Sequence, residues 1–467
     1  MSGGTRVVAI VVVLAAGGCA GTGSRPPRPQ LLGAAELAGV AATTRVPAVT
    51  DRWWAAFQDP QLDALIDEAL AHSPTLAEAR ARLGSAEALA TVARAARSVA
   101  GNLSASVERE RLSEQGLYPP PYAGATLNLG QIGVDLSYEL DLTGRTQARV
   151  AASEASANAA RYDLAAARLA LAAAVARAYL KFDRSHALED TVRESAARRR
   201  EVLALTEQRV RAGLDTVLEV EQARAALAVA DGDLASIAEE RALDANQLAA
   251  LVGAGPGRGA LLTRPTLATA PPPPVPAELP ADLLGRRPDV AAERSRVLAA
   301  ASNVRVAETD FYPNINLNAL LGVQSIELGS LISSAARIWD VGPALSLPLF
   351  DGGRLRGQLA GRDADYQAAV ARYNATVLDA FHDVADAVTS LRLLDREQAA
   401  SEAAVAALEH GYQLALARYR GGLSNYLTVL IAEEQLLAQR RLAVELDARR
   451  ADLAVVLYRA LGGGFSA

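Results

Sequence analysis

Residues 131–142 read QIGVDLSYELDL, and from Arg145 to Ala212 the chain contains neither glycine nor proline. In the first stretch Ile132, Val134, Leu136, Tyr138, Leu140 and Leu142 fall on one side, against Gln131, Asp135, Ser137, Glu139 and Asp141 on the other. Period two over that length predicts a strand with one apolar and one polar face. The second stretch, 68 residues, would span roughly 100 Å as one helix, longer than a globular core accommodates. A half-apolar strand running straight into such a helix is not a globular design.

The chain carries this arrangement twice. YELDLTGR (138–145) is echoed by LPLFDGGR (347–354), and RVRAGLDTVLEVEQA (209–223) by RYRGGLSNYLTVLIA (418–432), both at an offset of 209 residues. In the second pair Arg209/Arg418, Arg211/Arg420, Gly213/Gly422, Leu214/Leu423, Leu218/Leu427 and Val220/Val429 coincide. Two distant elements sharing one spacing make an internal duplication. NLSASVERER (102–111), NINLNALLGVQ (314–324) and VGPALSLPLF (341–350) supply three further strands. Helices are expected from Pro74 to about Ser98, from about Thr216 to Val252, from Pro288, along a tract reaching Tyr419, and from Asn425 to Leu461. Pro74 and Pro288 lie 214 apart, which assigns the length difference between copies to the first helix-to-strand joint. Gly213 and Gly422 are placed to turn antiparallel helical hairpins. Arginines before them complement the helix C-terminal dipole, and Asp215 and Ser424 are candidate N-caps of the return helices.

Composition and ends agree with an exported, elongated chain. Hydrophobic residues are 51% and aromatics 4%, and no proline occurs between Pro121 and Pro256 or after Pro348. Such Ala-, Leu-, Arg- and Glu-rich tracts read as long helices. Net charge of -6, with no basic block, argues against a nucleic-acid partner. The start, with one arginine, an apolar run from Val7 to Ala16 and small residues before Cys19, reads as a secretory signal. Cys19, the sole cysteine, is either a residue of the discarded signal or an acylation site; the small residues before it resemble a bacterial lipobox, which implies lipidation at Cys19. The segments are then a signal peptide (1–18), a lipidated tether (19–52), a first repeat (53–252), a Pro/Gly-rich connector (253–285), a second repeat (286–461) and a short tail (462–467).

Catalysis finds little support. His72, His186, His382 and His410 stand at no metal-ligand spacing, and no cofactor motif is present. His382, with Asp379, Asp383 and Asp386 close by, reads as a polar helix face. GAGPGRG lacks a preceding strand, and Lys181, the only lysine, follows no glycine loop, so energy for any transport comes from a partner.

Four strands of about eleven residues, tilted near 45°, each rise about 25 Å, the height of an outer-membrane barrel wall. Four cannot close a barrel, eight would be filled by side chains, and twelve from three copies leave a lumen. The fold class expected is α+β, mainly α: a duplicated helix-strand-strand-helix-helix unit, with four strands per protomer in a trimeric twelve-stranded barrel and a coiled-coil α-barrel beneath. A coiled-coil lipoprotein without a pore explains the helices equally well, but not the strands.

The chain resembles the TolC-type outer-membrane efflux channels, in particular their NodT-like lipoprotein branch. The resemblance is carried by Trp53-Trp54-x-x-Phe57-x-Asp59-Pro60-x-Leu62, Arg287-Pro288-Asp289-Val290, Phe311-Tyr312-Pro313-Asn314-Ile315, Leu349-Phe350-Asp351-Gly352-Gly353 and the two Arg-x-Arg-x-Gly-Leu turns. It implies a homotrimer in outer-membrane lipid that passively exports small molecules, served by a periplasmic adaptor and a resistance-nodulation-division pump of the inner membrane. A protein-export duct of a type I secretion system is the runner-up. The tips at Arg209, Arg211, Gly213, Leu214, Arg418, Arg420, Gly422 and Leu423 are the implied adaptor contacts. Many relatives follow the second tip with Leu-Asp-Ala-Gln-Arg, whose aspartate forms an acidic gate held by a tyrosine. Tyr419 matches that tyrosine, but here the stretch is Leu430-Ile431-Ala432-Glu433-Glu434. Either Ile431 packs between helices, or three Ile431 side chains close the duct by dewetting. Glu433 or Glu434 would then pair with a first-copy arginine such as Arg224.

Overall fold

The computed structural model describes residues 29–32, 40–41, 50–116, 118–268, 279–280 and 286–465. The signal segment, Cys19, most of the tether and the middle of the connector lie outside these residues. In chain order the elements are α1 (Pro60–His72), α2 (Pro74–Ala95), β1 (Ala100–Arg111), β2 (Thr126–Leu140), α3 (Arg145–Arg211), α4 (Val217–Leu251), α5 (Pro288–Thr309), β3 (Asn314–Ser325), β4 (Arg337–Ser346), α6 (Arg354–Arg420) and α7 (Tyr426–Ala460). Val40–Ala41 of the tether pairs in parallel with Leu279–Pro280 of the connector. No helix of the described residues is long and apolar enough to cross a membrane.

The duplication is kept residue for residue. α3 and α6 have 67 residues each and α4 and α7 have 35 each, at the offset of 209. α2 and α5 have 22 each and β1 and β3 have 12 each, at 214. The length difference therefore does not lie at the first helix-to-strand joint, which residues 96–99 and 310–313 form alike. It lies between the first strand of each pair and the long helix, residues 112–144 against 326–353: the loops 112–125 and 326–336 hold three of the five residues, and the second strands with their exits hold the rest. The fourth strand is also shifted from expectation: it starts at Arg337 and ends at Ser346, so Leu349 and Phe350 lie beyond it, exposed.

Two compact units divide the described chain, and each draws on both copies. One comprises residues 82–160 and 293–373, the other residues 32–81, 161–292 and 374–467. The first contains the sheet, antiparallel throughout in the order β1-β2-β3-β4. Its register sets Leu103 opposite Val134, Val134 opposite Leu321 and Leu321 opposite Trp339, an apolar row across all four strands. Tyr138, Leu317 and Pro343 make a second row of the same face, and Leu140, Ile315 and Leu345 a third. Because side chains alternate, Asn102, Ser104, Asp135, Ser137, Asn318 and Asp340 take the other face, where Ser104 Oγ donates to Asp135 Oδ2 at 2.9 Å. Beside the sheet, Phe311 of the Phe-Tyr-Pro-Asn-Ile motif is buried with Val304, Ala307, Leu355 and Leu359.

The second unit is built around the Trp-Trp motif. Trp53 stacks on Tyr458 at 5.4 Å and meets Trp54 edge-on, in a core with Phe57, Leu62, Ala172, Ala176 and Val455. Asp59 caps α1 through the Gln61 and Leu62 amides, and its other oxygen accepts from Tyr179 Oη (3.0 Å) and the Thr266 amide (2.7 Å). One carboxylate thus ties α1, α3 and the segment after α4 together. Arg287 spans Asp289 and, at 2.9 Å, Asp383, so one carboxylate of the acidic cluster near His382 serves a structural pair. Trp53→Ala removes the largest fully buried side chain of this core and is expected to cost about 3–5 kcal/mol, read as a lowered denaturation midpoint of the purified protein.

Candidate functional site

The two glycine turns end α3 and α6 in the same way. Gly213 and Gly422 have φ of 71° and 72°, a left-handed conformation that costs glycine nothing. In the first turn the Leu214 amide donates to Arg209 O (2.9 Å) and the Gly213 amide to Val210 O (3.0 Å); in the second, Leu423 donates to Arg418 O (2.8 Å) and Gly422 to Tyr419 O (3.0 Å). This pair of bonds is the Schellman cap, in which the residue after glycine ordinarily packs back on its helix. Here Leu214 and Leu423 are 64% and 73% exposed, and Val217, Leu218 and Leu427 extend the apolar surface. Both leucines therefore close their turns through the backbone and leave most of the side chain to solvent. Arg211, Arg418 and Arg420 are also exposed.

The return helices are capped one residue later than expected. Thr216 caps α4 in a capping box with Glu219, and Asn425 caps α7 by accepting from the Thr428 amide at 3.3 Å. Asp215 is diverted to another task. Its carboxylate accepts from Arg209 Nε (2.8 Å) and from Tyr419 Oη (2.6 Å), while Arg209 Nη1 donates to the Tyr419 carbonyl (2.9 Å) and the guanidinium lies 4.6 Å from the Tyr419 ring centre. Arg209 thus complements the C-terminus of the other copy's helix as well as binding Asp215. Burial pushes the Asp215 carboxyl up, but hydrogen bonds from Arg209 and Tyr419 outweigh it and hold it below the usual carboxylate range. Burial, reinforced by Asp215, pushes the Tyr419 hydroxyl up to about 12. The second tip has no such lock: Ser424 replaces the aspartate, Val210 stands where the tyrosine would come from, and Arg418, though kept, is exposed.

The four expected gate residues divide into two pairs. Tyr419 and Glu433 are buried, whereas Ile431 and Glu434 are exposed, on the side of α7 that also carries Leu427. Within its own chain Ile431 is thus not packed between helices. Glu433 does pair with the first-copy hairpin, but not with Arg224, which meets Glu207 and Glu221. Its partner is Arg199, whose Nη2 and Nε reach Glu433 Oε2 at 2.6 and 2.9 Å; Ser195 Oγ donates to the other oxygen, and Arg199 Nη1 donates to Ala226 O at 2.6 Å. This clasp joins α3, α4 and α7. A signal for it exists in the sequence: Glu433 interrupts an apolar stripe of Tyr426, Val429 and Leu436 at helical spacing.

A duplicated chain in which an apolar-faced sheet adjoins very long helical hairpins with apolar tips is the protomer of an outer-membrane channel. A family described as outer membrane efflux protein matches residues 65–254 and 279–463, and the chain belongs to that family. It is 39% identical to the fusaric acid resistance protein FusA of Burkholderia cepacia over 77% of this chain and 70% of that one. It is 32% identical to the multidrug resistance outer membrane protein MdtP of Escherichia coli K12 over 89% and 87%. The crystal structure of the outer membrane protein VceC of Vibrio cholerae superimposes with a TM-score of 0.85 at 39% identity, covering 90% of this chain and all of VceC. The protein is thus an outer-membrane channel component with a long periplasmic part.

Glu433→Ala leaves the Arg199 guanidinium buried without its counter-charge and is expected to destabilise the hairpins by about 3–5 kcal/mol, seen as earlier helix loss in thermal circular dichroism. The depressed Asp215 stabilises the tip above its unfolded pKa near 4 and loses that contribution as pH falls through the lower folded value; the raised Tyr419 stabilises it below about 10 and is lost as pH rises through about 12. Tip amide protection is expected to be flat between roughly pH 5 and 9 and to fall at both extremes. In Tyr419→Phe, Asp215 keeps fewer donors, so the acid limb is expected to move to higher pH and the alkaline limb to vanish.

Proposed function

We propose that three copies close a twelve-stranded barrel around a lumen and act as the passive outer-membrane duct of a tripartite efflux system. The observation that carries this reading is the apolar row Leu103, Val134, Leu321 and Trp339 on a sheet whose outer strands, β1 and β4, have no further strand beside them among the described residues. Closure by neighbouring copies satisfies both edges, lipid covers the apolar face, and the Ser104–Asp135 face lines the water path. The names of FusA and MdtP, tied to fusaric acid and multidrug resistance, favour small-molecule cargo over secreted protein. A pore-free coiled-coil spacer would have no use for the sheet.

The tips are the docking points of a periplasmic adaptor, which links the duct to a resistance-nodulation-division pump. Support comes from Leu214, Leu218, Leu423 and Leu427, exposed in both copies with Arg211 and Arg420 beside them. Gly213 and Gly422 set the knobs, and Arg209 and Tyr419 hold the first tip to the end of α6. Of the four gate residues, Ile431 and Glu434 are then the ones available to the lumen or to a neighbouring copy, while Glu433 acts from behind as a positioning residue. Cys19 supplies a lipid anchor that supplements the barrel.

The double variant Leu214→Glu, Leu423→Glu is expected to form normal trimers yet lower drug resistance to that of a strain lacking the protein; unchanged resistance would remove the docking role. Val134→Arg, on the apolar row, is expected to cost about 2–4 kcal/mol of barrel stability, and Ser104→Arg, on the opposite face, to cost less. Urea titration in detergent or lipid compares the two.

A further inference from the structure

The strands carry a second feature that export through the barrel does not require. Residues 112–125 join β1 to β2 and residues 326–336 join β3 to β4, both at the strand ends remote from the helices. Between these loops lies a cavity of about 520 Å³, within the size range of sites for drug-sized ligands. Leu127 and Leu129 form part of its lining, paired in register with Glu110 and Glu108. By alternation they share the face of Gln131 and Asp135, the face read above as lining the water path. Tyr118 and Tyr122 come from the first loop, and both are substantially exposed.

The polar part of the lining is as informative as the apolar part. Glu110 is the one charged side chain in it, and no arginine or lysine accompanies it. Its carboxylate makes no ion pair or hydrogen bond among the described residues, so its charge is free to act on a ligand. Ser325 and Ser330, in contrast, have their hydroxyls 2.7 Å apart and both within hydrogen-bond reach of Glu327 O, so one hydroxyl donates to the carbonyl and the other to its neighbour, which stiffens the opposite wall. Two tyrosine rings offer π faces to a cation and stacking surfaces to an aromatic plane.

We infer that this cavity binds planar aromatic cations at the outer mouth of the duct. The inference rests on the proposed function for the side of the membrane on which the loops lie. Such a ligand reaches the cavity either through the duct or from the surrounding medium. Tyr118 and Tyr122 hold its ring system, and Glu110 selects its positive charge.

The test uses purified full-length trimers in nanodiscs, titrated with the cationic tricycle proflavine and its uncharged counterpart acridone by fluorescence anisotropy. Wild type is expected to bind proflavine saturably and more tightly than acridone. Tyr118→Ala with Tyr122→Ala is expected to weaken both by about ten-fold, and Glu110→Gln to weaken proflavine about five-fold while leaving acridone unchanged. Equal proflavine affinity in wild type and the tyrosine variant, with trimers intact on native gels, overturns the inference; so does a Glu110→Gln protein that loses both ligands equally. Proflavine added to either side of a planar bilayer separates the sources: block from the loop side alone assigns the ligand to the medium, and block from the helix side assigns it to the exported stream. Block that persists in the tyrosine variant also overturns the site. Tyrosine-dependent binding in a protein whose deletion leaves drug resistance unchanged would uphold the cavity and reject the efflux reading, so the two fail separately.

Discussion

A sheet of four strands with one apolar face and, among the described residues, two unpaired edges is not satisfied in water. Leu103, Val134, Leu321 and Trp339 would stay hydrated, and the outward backbone groups of β1 and β4 would have only solvent to bond. In a bilayer those backbone groups must be paired, and only a closed barrel pairs them all. Lipid and further copies therefore answer one requirement together. The polar face becomes a lumen because the side-chain period is two, without any further instruction.

The helices face a different problem, since rods of 67 residues offer little core per residue and must be kept in register. Ion pairs recur along them where apolar burial is thin. Arg184 reaches Glu240 on α4 and Glu445 on α7, and Arg199 reaches the Ala226 carbonyl and Glu433 on the same two helices. Exposed members of this ladder contribute little individually, but the Arg199–Glu433 pair is nearly dry, so removing one partner strands a charge. Duplication has meanwhile drifted where the copies meet. Arg209, Asp215 and Tyr419 lock one tip, while Ser424 and Val210, at the equivalent positions, leave the other without that lock. One hairpin end is thereby stiffened across the copies and the other is left to its backbone cap.

Much of this architecture was legible in the sequence because it is periodic or local. The alternation in 131–142 and the glycine-free run after Arg145 announce β2 and α3, and the glycine after two arginines announces each turn. What escaped is long-range. Asp215 is as good an N-cap as Thr216, and only the arrival of Tyr419 and Arg209 from elsewhere decides between them. Pro74 and Pro288 reveal that five residues differ between copies but not where, since a loop between paired strands absorbs length as silently as a joint does. Arg199 was hidden among a run of arginines, and Glu433 was legible only as a charge in an apolar stripe, which identifies a buried partner without naming it.

The central claim is that each chain supplies four strands to a barrel closed by its neighbours. Cysteine pairs placed along β1 and β4 test it directly, because those strands are the two outer members of one sheet and are not paired with each other within the chain. Closure by three copies brings β1 of one protomer beside β4 of the next. Oxidation of membranes carrying register-matched pairs should yield covalent dimers and trimers on denaturing gels and nothing larger, with single-cysteine controls giving no trimer. Monomer alone at every register, or a ladder running past trimer, would contradict the account.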